Sequence, residues 1–522
     1  MNSNAHPQAA ATALSQVPEL IPALRSKNPL AWLVVFGPGA IVASLTIGTG
    51  ELVFSSRGGV LFGYNILWLF LLTCVLKWVL VFSAARHMVL SGVHPFERYT
   101  RLPGPHAWFT ILLLIFSVST FPIWMGFLSG VLGTLGENLV PKVDAHLWAA
   151  GSVTVIAIVH LIGGYDLLEK VQIAIVLAML AAVVVSFFFL KPDWLEVLLG
   201  LIVPAKLSYP EWLPEKYATI AERSVWVETS TYVGVVAGSG FDYLAYVSFL
   251  RHKSWGLSGG PAVDLVTLES RDDDADQRLR SWIRAPLVDC TASFVAVLLF
   301  AVVFVALGHI VLGPEREVPS GNDLLMRQAE FVTQLHPLLF YVYILGAILT
   351  MVGTLYGLLE IAPAVISEQL GAIRGGGAPE ISQRFRVACI LWTCLGGLGV
   401  LLSSYLYSSG EGANPPALVA IITPANLFTG VLACGFICML NPWMDRKFLP
   451  RNLRIGTVLV VLNFVGGVFF LVLGVHGYWK YGETSFADYG GGWIGGLVLL
   501  ATVVIGLVAA SLISAVRGRP NE

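Results

Sequence analysis

Long apolar runs separated by short polar stretches dominate this 522-residue chain. A helix that crosses a bilayer needs about 20 mostly apolar residues, and the sequence contains about twelve runs of this kind. They lie at 31–56, 60–83, 106–137, 146–163, 168–190, 224–250, 286–313, 336–369, 386–406, 416–442, 454–477 and 490–516. Because only helices and closed barrels satisfy the backbone in lipid, and barrel strands are much shorter than these runs, the pattern predicts an all-α integral membrane protein.

Composition supports the same class of protein. The mean hydropathy is +0.76, and only 12% of the residues are charged. A net charge of −2 gives no reason to expect a nucleic-acid partner. The nucleotide-binding pattern GxxxxGK[ST] does not occur, and the six cysteines lie within apolar runs, where small buried hydrophobic residues are common. We therefore expect a lipid-embedded protein without a cofactor.

The basic residues indicate how the chain is oriented in the membrane. With the amino-terminus inside, 21 of the 31 Lys and Arg residues fall in cytoplasmic segments and 9 on the opposite side. This excess predicts a multi-pass protein of the plasma (inner) membrane with both termini in the cytoplasm. Residues 1–28 are polar and rich in Ala and Pro, which predicts a disordered cytoplasmic tail.

Two of the predicted helices contain the same polar interruption. Helix one contains Gly48-Thr49-Gly50 followed by Glu51, and helix six contains Gly238-Ser239-Gly240 with Asp242 two residues further on. The interruptions are five helices apart, which is the pattern of an inverted repeat whose first members are discontinuous. We predict a first five-helix repeat at 29–190, an extracytoplasmic hairpin at 191–223, a second repeat at 224–442, and helices eleven and twelve with a cytoplasmic carboxyl-terminus at 443–522.

The two interruptions also form the predicted substrate site. Paired glycines weaken a helix by about 1 kcal/mol each, so carbonyl oxygens can be freed there, and a carboxylate inside the membrane usually has a function. The expected substrate-binding residues are Thr46, Gly48, Thr49, Gly50, Glu51, Ala237, Gly238, Ser239, Gly240 and Asp242. The alternative is structural, because glycines permit close helix packing and a carboxylate can cap the next half-helix.

Several short motifs resemble those of a known family. These are Gly37-Pro38-Gly39, Gly58-Gly59, the block from Gly63 to Trp68, Ala85-Arg86 and Ser91-Gly92. Together with the two interruptions, they resemble the Nramp divalent-metal transporters, which belong to the amino acid–polyamine–organocation superfamily and have the leucine-transporter fold. The resemblance implies a 5+5 inverted repeat with two additional helices, and secondary transport of a divalent metal cation by alternating access.

The chain departs from this family at the metal site. Where the family has Asp-Pro-Gly-Asn in helix one, this chain has Gly48 to Glu51, and where the family has Met and His in helix six, this chain has Gly240 and Asp242. Matching these positions to the family's metal-binding residues therefore implies that Glu51 and Asp242 are the metal ligands. Because the soft thioether is replaced by oxygen donors, we expect a hard ion such as magnesium or manganese.

Other polar residues in apolar runs are candidates for the pathway or for coupling. These are Glu228, Glu360 and Asn426, while Lys77 near the end of predicted helix two should extend to the membrane surface or pair with a carboxylate. The family's proton-carrying Asp and Glu of helix three have no counterpart before Glu137, so protons, sodium or no coupling ion remain alternatives. A transporter of an amino acid or other small organic cation is the alternative function. A channel or an intramembrane enzyme is disfavoured, and the sequence leaves the oligomeric state open.

Overall fold

The computed structural model describes residues 17–32, 35, 37–39, 46–162, 181–319, 324–375, 381–408, 418–485, 497, 501 and 504–513. Every regular element within these ranges is a helix. Nine helices in this part of the chain are long and apolar enough to cross a membrane. The predicted first, fifth and twelfth spans are described only in part. The all-α membrane fold is confirmed.

The principal helices are numbered in chain order. The first five are α1 (Ile47–Ser55 and Ser56–Phe62), α2 (Leu67–Ser91), α3 (Trp108–Leu139), α4 (Ala145–Ile162) and α5 (181–189). The sixth has two parts, α6a (Val225–Val235) and α6b (Gly240–Lys253). The others are α7 (Arg284–Leu307), α8 (Leu339–Arg374), α9 (Gln383–Ser408), α10 (Leu418–Asn426, Leu427–Leu432 and Ala433–Phe448), α11 (Thr457–Ser485) and α12 (Val504–Ile513).

Short helices lie between these elements. They are Pro22–Arg25, Pro29–Trp32, Gly63–Ile66, Pro95–Tyr99, Trp194–Ile202, Leu213–Lys216, Ala218–Ala221, Leu265–Glu269, Asp273–Trp282, Gly308–Leu312, Leu324–Gln328, Glu330–Thr333 and Arg451–Leu453. Three of them fall in the segment 191–223, for which the sequence predicts a structured hairpin.

Helices from the two halves of the chain group in equivalent ways. α1, α2, α6 and α7 pack on one another, and α3, α4, α8 and α9 form a second group. α8 contacts both α1 and α6b, and α10 packs against α6 and α3. Members one and two of each half thus lie together, as do members three and four, which is the arrangement expected of two repeats. The broken helix α6 lies where the groups meet.

The crossing of α1 and α7 brings their backbones into direct contact. A Cβ atom added at Gly59 would overlap the carbonyl oxygen of Val305, and one added at Gly308 would overlap the carbonyl oxygen of Ser56. The neighbouring atoms are backbone and cannot move aside. Glycine is therefore required on both sides of this crossing.

The boundary between the first two helices differs from the prediction. α1 continues to Phe62, and α2 occupies Leu67–Ser91 instead of the predicted 60–83. The predicted helix one ends at 56, just before Arg57, whereas Arg57 lies inside α1 and is buried in an ion pair with Glu228. The turn occurs at Gly63, whose positive φ of 58° favours glycine.

The predicted tail at 1–28 is partly wrong. Residues 1–16 lie outside the described residues, but Val17, Leu20 and Leu24 are buried in the core. Trp282 Nε1 also donates a hydrogen bond of 2.7 Å to the carbonyl of Pro18. The polar composition of the tail concealed three apolar side chains with helical spacing, and these anchor the segment to the protein.

Candidate functional site

The sixth helix is broken at the predicted position. α6a ends at Val235 and α6b begins at Gly240. Between them, Ala237 and Gly238 have positive φ angles of 62° and 93°, so the chain leaves the helical conformation. α6a contains 11 residues; at 1.5 Å per residue it is about 16 Å long, which is half the thickness of a hydrocarbon core of about 30 Å. The break therefore lies about halfway along the sixth span, Val225–Lys253.

The first helix is not unwound at its glycines, which corrects the prediction. Ile47–Ser55 form a π-helix. A Cβ atom at Gly50 would lie 2.6 Å from the carbonyl oxygen of Val235, and one at Gly48 would overlap the hydroxyl of Thr354. These two glycines serve close packing of α1 against α6a and α8, so the same Gly-x-Gly pattern has different consequences in the two helices.

Both predicted carboxylates bind backbone N–H groups of the break. Glu51 Oε1 accepts a hydrogen bond of 3.3 Å from Ala237 N. Asp242 Oδ2 accepts one of 2.7 Å from Ser239 N, and the Ser239 hydroxyl accepts one from Asp242 N, which is a capping box at the start of α6b. Glu51 is fully buried, and its Oε2 has no hydrogen-bond partner among the described residues. The structure thus brings the two carboxylates to opposite ends of one short segment.

Removing the Glu51 acceptor should destabilise the break. In Glu51→Leu, the N–H of Ala237 loses its partner, and we expect the free energy of unfolding to fall by about 1–3 kcal/mol. Glu51→Gln keeps an acceptor oxygen and should remain close to the wild type. Thermal unfolding of both variants in the same detergent measures the difference. Equal stability of the two variants would show that this hydrogen bond contributes nothing.

The carbonyl oxygens of the break are bound by the protein itself. Lys77 of α2 is fully buried, and its ammonium group donates to the carbonyls of Val233 (2.7 Å), Gly234 (3.2 Å), Val236 (2.8 Å) and Gly238. The hydroxyl of Tyr243 donates to the carbonyls of Ala237 and Gly238, and Gly238 N donates to Val235 O.

These contacts correct two predictions. Lys77 neither extends to the membrane surface nor forms a salt bridge with a carboxylate in the described part of the chain. The carbonyls of the sixth-helix break were expected to bind substrate, but here they bind Lys77 and Tyr243. A substrate at this site would therefore depend on side-chain oxygens.

A small cavity of about 40 Å³ lies beside the break. It is lined by Gly234, Val235, Gly238, Ser239, Phe241 and Asp242 of α6, by Thr120, Phe121, Trp124 and Leu128 of α3, and by Thr354 and Leu358 of α8. Its polar side-chain groups are the Asp242 carboxylate, the hydroxyls of Thr120, Ser239 and Thr354, and the indole N–H of Trp124. Because an indole N–H cannot bind a metal ion, the side-chain atoms able to do so are all oxygens. Sequence reasoning missed the α3 and α8 residues; the only signal was a threonine within each apolar run.

The other residues that were predicted to bind substrate lie in different surroundings. Gly240 faces α10: a Cβ atom there would lie 3.2 Å from Ala433 Cβ. A thioether at position 240 would therefore meet α10, so Gly240 is not the sulfur position that the family comparison implied. Thr46 is buried close to Gly238, and the side chain of Thr49 lies outside the described part of the structure.

The three predicted pathway residues have structural partners. Glu228 binds Arg57 Nε at 2.6 Å, and its other oxygen binds Arg223. Glu360 pairs with Arg386 at 2.6 Å, away from the cavity. The amide of Asn426 donates to the carbonyl of Thr231 in α6a at 2.9 Å. None of these three side chains lines the cavity.

A ready-made set of metal-binding side chains is not found in the described ranges. No group of three or more His, Cys, Asp and Glu side chains there is placed to hold a metal ion. Asp242 lines the cavity, whereas Glu51 supports the break from the α1 side. The two predicted ligands thus contact the same segment but do not line the same space.

Comparison with known proteins identifies relatives of this arrangement. The family model "Nramp: Natural resistance-associated macrophage protein-like" matches residues 39–220. A crystal structure of a mutant manganese transporter from Eremococcus coleocola is similar, with 13% identity, a TM-score of 0.61, and coverage of 93% of this chain and 95% of that chain. The same transporter in complex with an aromatic bis-isothiourea substituted compound matches with 14% identity, a TM-score of 0.61 and the same coverage.

These findings agree with the motifs of the first helices and with the arrangement of the helices. At 13–14% identity, the structural matches establish the fold, and the family match covers the first repeat, where the motifs lie. The chain is therefore a membrane protein with the fold of these transporters, and its residues 39–220 match the Nramp family model.

Proposed function

We propose that this protein is a secondary transporter that moves a divalent metal cation by alternating access, with the substrate held beside the break of α6. The observation that carries the proposal is the cavity beside the break, halfway along the sixth span, into which Asp242 brings a carboxylate. Its other side-chain atoms able to bind a metal ion are hydroxyl oxygens, which suit hard cations such as magnesium and manganese. The structural relatives in Eremococcus coleocola are described as manganese transporters.

Ion pairs at both ends of the broken helices support alternating access. At the start of α6a, Glu228 joins Arg57 and Arg223. At the end of α6b, Arg251 pairs with Glu368 of α8 at 2.7 Å. Alternating access would require these two sets of contacts to be released in turn, one on each side of the break. The positive charge bias of the loops supports a cytoplasmic position for the Arg251 end and for both termini.

The aromatic wall of the cavity favours a second candidate function. Phe121, Trp124 and Phe241 line the same space as Asp242. Aromatic faces with one carboxylate also suit an organic ammonium ion. A volume of about 40 Å³ nevertheless limits this alternative, since it holds only a few atoms in the present conformation. A small amine is therefore the second candidate.

Asp242→Asn tests the proposal directly. The protein is reconstituted in liposomes, and uptake of manganese, magnesium and methylammonium is measured with and without proton and sodium gradients, together with counterflow. We expect saturable divalent uptake by the wild type and a loss of roughly 10–100-fold in Asp242→Asn at subsaturating metal, the size of effect seen when support of a metal site is removed. The gradients identify the coupling ion.

The control is Glu269→Gln, which removes one exposed carboxylate from the end of a short helix. It should transport like the wild type. Unchanged divalent uptake in Asp242→Asn would reduce Asp242 to a helix cap. Transport of the amine without any divalent ion would replace the metal proposal with the second candidate.

A further inference from the structure

The ammonium group of Lys77 is surrounded by backbone oxygens. Four carbonyls contact it, two from the last turn of α6a and two from the break. An ammonium group has three donors, so at least one of these is shared. Lys77 is fully buried and lies ten residues after the start of α2, well inside the membrane.

This arrangement has the features of a site for a monovalent cation. Carbonyl oxygens are the ligands that proteins use for alkali metal ions in low-dielectric surroundings. The last carbonyls of α6a also carry the negative end of the helix dipole, which favours a cation at this point. Irregular backbone at this depth needs internal partners, and a fixed ammonium group supplies them permanently.

We propose that the side chain of Lys77 occupies a monovalent-cation site in the broken sixth helix and replaces a bound sodium or potassium ion. The inference goes beyond the proposed function and does not depend on the identity of the substrate. Its consequence is that the fold of the break needs no dissolved monovalent ion. Lys77 also adds one formal positive charge near Glu51 and Asp242, so the three side chains together carry less negative charge than the two acids alone.

Shortening the side chain should open this site to ions from solution. In Lys77→Ala, the four carbonyls lose the ammonium group, although Gly238 O keeps its hydrogen bond from Tyr243, and sodium or potassium can take the place of the ammonium group. In Lys77→Met, an uncharged side chain of similar length fills the space without offering donors. Lys77→Gln keeps two N–H donors and serves as a milder variant. Lys216→Ala removes an exposed lysine and is the control for a change in charge.

The test is thermal unfolding of the purified full-length protein in choline, sodium or potassium chloride at one ionic strength. We expect the wild type and Lys216→Ala to unfold at the same temperature in all three salts. Lys77→Ala should unfold earlier in choline and gain about 3 °C or more, saturably, in sodium or potassium. Lys77→Gln should show a smaller gain, and Lys77→Met should remain low in every salt.

Three results would overturn the inference, and none of them depends on metal transport. The first is a Lys77→Ala protein as stable in choline as the wild type. The second is equal destabilisation of Lys77→Ala and Lys77→Gln in all three salts. The third is a native protein that is itself stabilised by sodium over choline, and this measurement decides the matter if the variants do not fold.

Discussion

Arg57→Met is expected to lower the free energy of unfolding by about 3–5 kcal/mol, because it leaves a buried carboxylate without its main partner. Arg57 and Glu228 are both almost fully buried, and their charged atoms are 2.6 Å apart. Arg57 also donates to the carbonyl of Pro319 at 3.0 Å, and Tyr232 donates to Glu228 at 2.6 Å. The lost interactions therefore join α1, α6a and the segment after α7.

A double-mutant cycle separates the pair from its surroundings. Arg57→Met combined with Glu228→Gln removes both charges, and we expect it to recover much of the stability lost in the single variant. Thermal unfolding in one detergent gives all values. Lys216→Met at the exposed pair with Glu317 is the control and should change little. Additive effects of the two single variants would show that the buried charges do not act as a pair.

Gly59→Val should cost at least about 3 kcal/mol, the upper part of the range for overpacking, because the added atoms meet backbone on α7. The helices cannot separate locally, since Gly308 makes the reciprocal close contact with α1. The expected result is little or no folded protein after extraction in mild detergent, judged by size-exclusion chromatography.

The matched control is Gly399→Val in α9. Gly399 is also a helical glycine, but it is exposed, and a Cβ atom there would meet nothing within 4 Å. This variant should fold normally. A folded Gly59→Val protein with wild-type stability would mean that α1 and α7 can move apart more easily than their contact indicates.

The sequence was sufficient for the helix order and for the sixth-helix break. Apolar runs of this length can only be spans in lipid, and Asp242 after Gly238 and Gly240 is a local signal for a helix start with its own cap. The same Gly-x-Gly pattern led to a wrong prediction of a break at Gly48 and Gly50. There the helix persists, because these glycines are packing surfaces for α6a and α8, which local sequence does not reveal.

The role of Lys77 could not be predicted from the sequence for a physical reason. The predicted helix two ran from 60 to 83 and placed Lys77 near a membrane surface, whereas α2 runs from Leu67 to Ser91 and places it deep inside. The predicted boundary lies just before Arg57, whose burial depends on its partner Glu228, 171 positions away, and is not visible in the local sequence. Buried charge pairs between distant segments shift apparent helix boundaries.

For the proposed transport of a metal ion, the size of the cavity bears on the rate of transport as well as on the strength of binding. The cavity of about 40 Å³ has room for only a few water molecules in this conformation. A magnesium ion in solution carries an octahedral shell and gives it up reluctantly. An ion would therefore have to shed part of its hydration shell before it reaches Asp242. Two ions that bind the same oxygen atoms equally well would then differ in turnover, and the ion that loses water faster would be carried faster.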